Sequence, residues 1–152
     1  MRALLQRVSE ASVAVDGETI AAIDQGLLVL LGIFPHDGRT EIIWLVDKIL
    51  GLRIFADAAS RMNLSITDVA GSVLVISQFT LAADTRKGKR PGFSTAAPPP
   101  LAQRLYDEFL SVMRAQWDKV ECGRFGADMQ VTLINDGPVT FLLENPETAR
   151  SS

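Results

Sequence analysis

Residues Gly26 to Phe34 read GLLVLLGIF. An apolar run this continuous leaves no polar face for water, so it is expected to form a strand buried on both sides. Pro35-His36-Asp37-Gly38 then breaks it. Upstream, residues 2–8 (RALLQRV) read as a first strand and Ser12 to Val15 alternates. Asp16-Gly17 punctuates before Glu18 to Ile23 resumes. Asp-Gly accepts the positive φ angles of a type I′ turn, so this stretch predicts a hairpin. Downstream, the period changes at Thr40. Ile42, Ile43, Leu45, Val46, Ile49 and Leu50 fit one face of a helix that Thr40 or Asp37 could cap and Gly51 could end. Ser72 to Phe79 (SVLVISQF) predicts another strand, and residues 84–100 (DTRKGKRPGFSTAAPPP) a long irregular loop. A second helix is expected from about Pro100 to Trp117, with Leu101, Leu105, Phe109, Val112 and Met113 on its apolar face. Asp128 to Ile134 and Val139 to Leu143 then read as two strands joined by Asn135-Asp136-Gly137-Pro138. The pattern is that of an α+β fold, a strand-rich single domain over residues 1–145 whose sheet is at least partly antiparallel. The polar stretch from Asn145 to Ser152 is expected to fray, with residues 146–152 as a tail outside the domain.

The chain has 152 residues, 47% of them hydrophobic, enough for a core without disulfides. Its net charge of −3 argues against a globally basic nucleic-acid binder. One cysteine, Cys122, cannot build a disulfide framework and suits a reducing, cytoplasmic setting. One cysteine and one histidine cannot supply a zinc site of the usual type, so no metal is expected. No apolar run reaches the ~18 residues of a membrane helix, and the opening MRALLQRVSEASV turns polar too soon for a signal peptide.

Each candidate for chemistry also has a plainer reading. His36 is the one histidine that a Ser-His or Cys-His set would need, yet it sits in a turn where a solvated imidazole is the ordinary outcome. Cys122 has no partner signature around it and reads as a small, partly buried thiol. Glycine-rich nucleotide fingerprints are absent. Arg86, Lys87, Lys89 and Arg90, with Asp84, give residues 84–90 a net charge of +3, a patch that attracts phosphate or simply a solvated loop. Ser77-Gln78-Phe79-Thr80 ends an apolar strand in polar groups, where hydroxyls and freed N–H groups face a ligand or merely terminate a strand. Asn135-Asp136-Gly137-Pro138-Val139-Thr140 taken alone is a turn, and composition leaves the Gly-Pro isomer open.

Two of these segments, SQFTLAADTRKGKRPGFS (Ser77–Ser94) and NDGPVTF (Asn135–Phe141), closely resemble the two signature motifs of the D-aminoacyl-tRNA deacylases. MRALLQRVSEASVAVDGE, GLLVLLGI, LGLRIFADAASRMNLS, GSVLVISQFTLAAD and GRFGADMQV resemble family segments in the family's order, so the likeness spans roughly residues 1–144. It implies a barrel-like mixed sheet and a cofactor-free carboxylic ester hydrolase. Such enzymes cleave D-amino acids, and mischarged glycine, from the 3′-terminal adenosine of tRNA. It implies a homodimer with active sites at the interface. Ser77, Gln78, Phe79 and Thr80 would line the catalytic pocket. A cis Gly137-Pro138 would reach into the partner's site and exclude L-side chains by its carbonyl oxygens. Phe125 and Met129 would help hold the adenosine. Arg86, Lys87, Lys89 and Arg90 would contact acceptor-stem phosphates without reading sequence. The rivals are a non-catalytic protein that binds the tRNA acceptor end, a hydrolase pairing Ser77 or Thr80 with His36, and an inactive structural dimer.

Overall fold

The computed structural model describes residues 1–146; the expected tail falls mostly on 147–152, outside the described residues. In chain order the elements are β1 (Arg2–Val15), β2 (Glu18–Ile23), β3 (Gly26–Gly32), α1 (Arg39–Gly51), β4 (Phe55–Ala56), β5 (Met62–Leu64), β6 (Ser72–Ser77), a 3₁₀ turn (Phe79–Ala82), α2 (Pro99–Gln116), β7 (Val120–Cys122) and β8 (Gln130–Glu144). β4 and β5 form a separate small antiparallel ribbon. The main sheet is mixed. β1 pairs antiparallel with β2, β3 and β8, while β3–β6 and β6–β7 are parallel. The two parallel joins use α1 and α2 as crossovers, as parallel neighbours require.

The GLLVLLG run is the centre of this sheet. Leu27, Val29 and Leu31 point into a core with Ile42, Leu45, Ile49, Leu105 and Phe109 of the two helices. Leu28 points the other way, into a second core with Leu74 and Ile76 of β6 and Ala21 and Ile23 of β2. Strand alternation assigns the two sets to opposite faces. β2 therefore folds over the sheet toward β6, which gives the barrel-like curl. β1 serves both cores by changing phase. Ala3 and Leu5 face the helices, whereas Val8, Ala11 and Val13 face the second core. The register against β8 slips between Val8 and Glu10, and one inserted residue is what moves odd positions to the other face.

The Asp16-Gly17 hairpin forms as expected, with φ of 51° and 79° and Val15 opposite Glu18. Several boundaries differ from the sequence reading. The first strand and the 12–15 segment are one continuous strand. The strand expected to run through Phe79 stops at Ser77, because β3, its ladder partner, ends at Gly32. Asn135–Pro138 does not separate two strands. β8 continues through it, and the bulge is the stretch between Val8↔Asn135 and Gln6↔Thr140, where five steps on β8 meet two on β1. Neither Thr40 nor Asp37 caps α1. Gly38 does, its N–H donating to the Glu41 carboxylate at 2.7 Å, while Asp37 takes the Met1 ammonium at 2.6 Å. Asn145 is buried, with its N–H donating to Met1 O at 3.2 Å, so the polar C-terminal stretch does not begin by fraying. None of the described helices is long and apolar enough to cross a membrane.

Gly26 permits the closest approach in the sheet, since a Cβ there would lie 1.8 Å from Ser72 O. Gly26→Ala is expected to force β3 and β6 apart and to lower stability by about 1–3 kcal/mol, the usual range for overpacking. A urea midpoint unchanged from wild type would show that the strands can separate there without loss.

Candidate active site

Where β6 runs out, the Gln78 N–H still reaches Leu31 O at 2.7 Å, and the next residues roll into the 3₁₀ turn. Leu81 N–H returns to Gln78 O and Ala83 N–H to Thr80 O. Among the described residues the N–H groups of Phe79 and Thr80 have no hydrogen-bond partner, as first-turn donors do not. Gly32 lets this turn sit down on the strand, because a Cβ there would come 2.8 Å from Leu81 Cβ. The Gln78 side-chain amide donates to Thr80 Oγ at 2.5 Å, so the hydroxyl has its own proton still to give.

Beside the turn lies a cavity of about 670 Å³, mostly apolar, whose walls include Ser77, Gln78, Phe79 and Phe125. The structure thus brings four of the sequence-selected residues to one cavity. Thr80 stands exposed next to it and is not among its walls. Met129 is not a wall either; its sulfur covers Gly123, and it packs against the second core. Phe125 is held from behind by Tyr106, ring centres 5.8 Å apart. Tyr106 in turn donates to Val75 O at 3.0 Å, and burial pushes its phenol well above the ordinary range, so it stays a neutral donor.

Phe79 is 57% exposed and meets Phe93 edge-to-face at 5.1 Å. Phe93 comes from the long loop, where it is the one aromatic, near the end of the Ser77–Ser94 signature segment. The loop is less irregular than its composition suggests. Asp84 and Gly92 exchange both backbone hydrogen bonds at 2.8 Å, and Thr95 Oγ donates to Ala82 O at 2.5 Å, which ties the loop to the 3₁₀ turn. Arg86 grips Asp84 with two guanidinium hydrogen bonds of 2.9 Å, and this contact holds the Asp84 carboxyl at about 2. Arg86 is therefore partly neutralised, leaving Lys87, Lys89 and Arg90 as exposed cations without an ion pair among the described residues.

Gly137–Pro138 is cis and exposed, and it is not part of the cavity. It sits in the β8 bulge opposite β1, braced by Arg7, whose Nε donates to Asp136 O at 2.9 Å. The registers place it three strands and four residues from Ser77, about 14 Å across and about 13 Å along the sheet. Within one chain the two signatures do not meet. His36 borders a different cavity from Ser77, and Cys122 is half-buried with Arg114 donating to its sulfur at 3.6 Å.

The family described as D-Tyr-tRNA(Tyr) deacylase matches residues 4–144. The chain belongs to that family. It is 57% identical to a D-aminoacyl-tRNA deacylase of Teredinibacter turnerae over 95% of this chain and 100% of that one. A D-aminoacyl-tRNA deacylase of Shewanella amazonensis is 58% identical over 95% of this chain and 99% of its own length. Among solved structures, a c-Myc DNA unwinding element binding protein superposes with a TM-score of 0.92 at 44% identity, covering 96% of this chain and 99% of that one. A probable eukaryotic D-amino acid tRNA deacylase shares the fold, with a TM-score of 0.82 at 17% identity over 93% of this chain and 97% of that one.

The Asp84–Arg86 contact sets a pH test. A carboxyl depressed in the folded state contributes above its unfolded value of 3.8 and loses that contribution as pH falls through about 2. The loop is expected to keep its closure from neutral pH to below 4, with the Asp84 carboxyl titrating near 2 by carbon-detected NMR. A midpoint near 3.8 would mean that the contact is absent in solution.

Proposed function

We propose that this chain hydrolyses the ester joining a D-amino acid to the 3′-terminal adenosine of tRNA, and that it releases glycine from mischarged tRNA by the same route. The observation that carries this reading is the pair of unpartnered N–H groups at Phe79 and Thr80, beside an apolar cavity, in a member of the deacylase family. An aminoacyl ester is already activated by its vicinal hydroxyl and α-ammonium group, so no strong protein nucleophile is needed. Water adds to the carbonyl, and the two N–H groups receive the oxyanion; one such donor is worth about 3–4 kcal/mol. The Thr80 hydroxyl, already accepting from Gln78, donates to the water or the ester oxygen. Collapse expels the ribose oxygen, which takes up a proton, leaving free tRNA and free amino acid. Phe125 offers an aromatic face for the adenosine from the cavity wall. Met129 contributes by packing beneath that segment. A tRNA substrate would set the enzyme to work in the cytoplasm.

Handedness follows from geometry. D- and L-residues held by the same ammonium and ester differ by exchange of Hα with the side chain. Main chain crowding the L position admits D-residues and glycine, and it has no rotamers with which to yield. We assign this role to Gly137–Pro138 of a second copy, because in its own chain that segment is too far from Ser77 to act. The apolar exposure of β8 supports such a dimer. Among the described residues β8 pairs with β1 alone, and Ile134 and Leu142 are 53% and 52% exposed along it.

Three outcomes are expected. Purified protein deacylates D-Tyr-tRNA and D-Asp-tRNA while sparing L-Tyr-tRNA, and equal rates on D- and L-Tyr-tRNA would refute the gate. A protein that binds these tRNAs without turnover would instead be the non-catalytic binder. His36→Ala leaves kcat close to wild type, and Thr80→Ala lowers it only modestly. A loss of about 10⁶ with folding intact, the scale for removing a covalent nucleophile, would recast Thr80 as one. Replacing Arg86, Lys87, Lys89 and Arg90 together by Ala raises KM and flattens its salt dependence; an unchanged slope would detach the loop from the RNA.

A further inference from the structure

We propose that a second cavity, of about 590 Å³, receives the nucleotide immediately 5′ to the terminal adenosine, with its base stacked on the Arg2 guanidinium. The proposal rests on the deacylase reading above. The two cavities share Pro35 and Ser94 as walls, and the second is floored by Ala82, Ala83 and Asp84, which directly follow the 3₁₀ turn. A nucleoside seated in the first therefore has its 5′ neighbour at the edge of the second. Arg86 lines the second cavity, and Lys87, Lys89 and Arg90 follow it in the exposed loop. A strand running from the ester toward those cations crosses this space.

Arg2 is built as a flat surface. Its guanidinium carbon lies 5.2 Å over the centre of the Phe34 ring. Nη1 donates to Leu81 O at 2.6 Å, and Nε is 2.5 Å from Glu144 Oε1. The hydrogen bond to Leu81 O and the ion pair with Glu144 anchor the guanidinium with Phe34 over one face, and a base is taken to stack on the other. RNA bases stack on arginine planes as they do on aromatic rings. The side chain is 19% exposed and forms part of the cavity wall. The carboxylates around the cavity are all engaged. Asp37 holds the Met1 ammonium, Glu41 accepts from Gly38 N–H, and Asp84 is gripped by Arg86. Two of these three carboxylates, Asp37 and Asp84, are paired with a cation, and Glu41 is held by the helix N-terminus.

The test compares two D-tyrosyl esters, D-Tyr-tRNA and D-tyrosyl-adenosine, the second of which has no 5′ nucleotide. Thr85→Trp obstructs the cavity from an exposed wall residue away from the turn, and Arg2→Ala removes the stacking surface. For each variant the ratio of kcat/KM on D-Tyr-tRNA to kcat/KM on D-tyrosyl-adenosine is expected to fall about tenfold, within what one lost stacked base gives. Because it is a ratio, damage to the turn through Leu81 cancels from it. An active wild type whose two variants keep the wild-type ratio overturns this proposal alone. A wild type inert toward both esters overturns the deacylase reading and this proposal with it.

Discussion

The Gln78 N–H to Leu31 O hydrogen bond is the last contact between the β3 and β6 segments, and the geometry of the candidate site follows from its position. Up to that point the backbone of β6 is satisfied by its neighbours. One residue later β3 has ended, and the chain has to close on itself in a 3₁₀ turn whose first donors are left over. Two N–H groups without partners would be a liability in a core, where an unmet donor costs about 1–3 kcal/mol. Here they stand beside a cavity, open to a ligand. The turn is kept in place from three sides: by Gly32 beneath it, by the Arg2 guanidinium on Leu81 O, and by Thr95 on Ala82 O. On the proposed reading the two N–H groups receive developing charge, which requires dipoles that are already aimed, and this rigidity would meet that requirement.

Much of this was legible in the sequence because it rests on periodicity. GLLVLLG reads as a strand buried on both faces, Asp16-Gly17 as a tight hairpin turn, and Leu105, Phe109 and Met113 repeat at helical spacing. What was not legible depends on where strands end relative to each other. SVLVISQF reads as strand through Phe79, and nothing in those letters says that its partner stops at Gly32. The β8 bulge was hidden for a similar reason. Asn-Asp-Gly-Pro has the chemistry of a turn between two strands, yet β1 is long enough to pair on both sides of it, so one strand absorbs the extra residues. Tyr106 was overlooked because its value lies in a single hydroxyl reaching Val75 O, a contact made across the fold. Phe93 has a place in the signature segment but no legible role, since its partner Phe79 is met only in the fold.

Charge shows the same split between composition and placement. A protein of net −3 is a poor partner for RNA taken as a whole. Its acids are largely committed locally around the site: Asp37 to the amino terminus, Asp84 to Arg86, Glu144 to Arg2. Such pairs neutralise one another at short range, and screening in salt removes what remains beyond about 8–10 Å. The field near the long loop is then set by Lys87, Lys89 and Arg90. Net charge governs long-range behaviour; the residues beside a phosphate govern binding.

The separation of the two signature segments within one chain is the strongest structural argument about assembly. Ser77 ends β6 and Gly137–Pro138 lies in β8, three strands away and about four residues along by the ladder registers, and the cavity beside Ser77 does not include Gly137 or Pro138. If both act on one substrate, the second must come from another copy. A two-fold axis then brings two sites into being at once, since the contact is the same patch used twice. β8 meets the requirements for that contact: it is an edge strand with apolar side chains toward solvent, and its bulge projects main chain that Arg7 holds in position from behind. On this geometry a monomer would have the oxyanion donors and the cavity but no means of telling one hand from the other, so selectivity and dimerisation would be lost together.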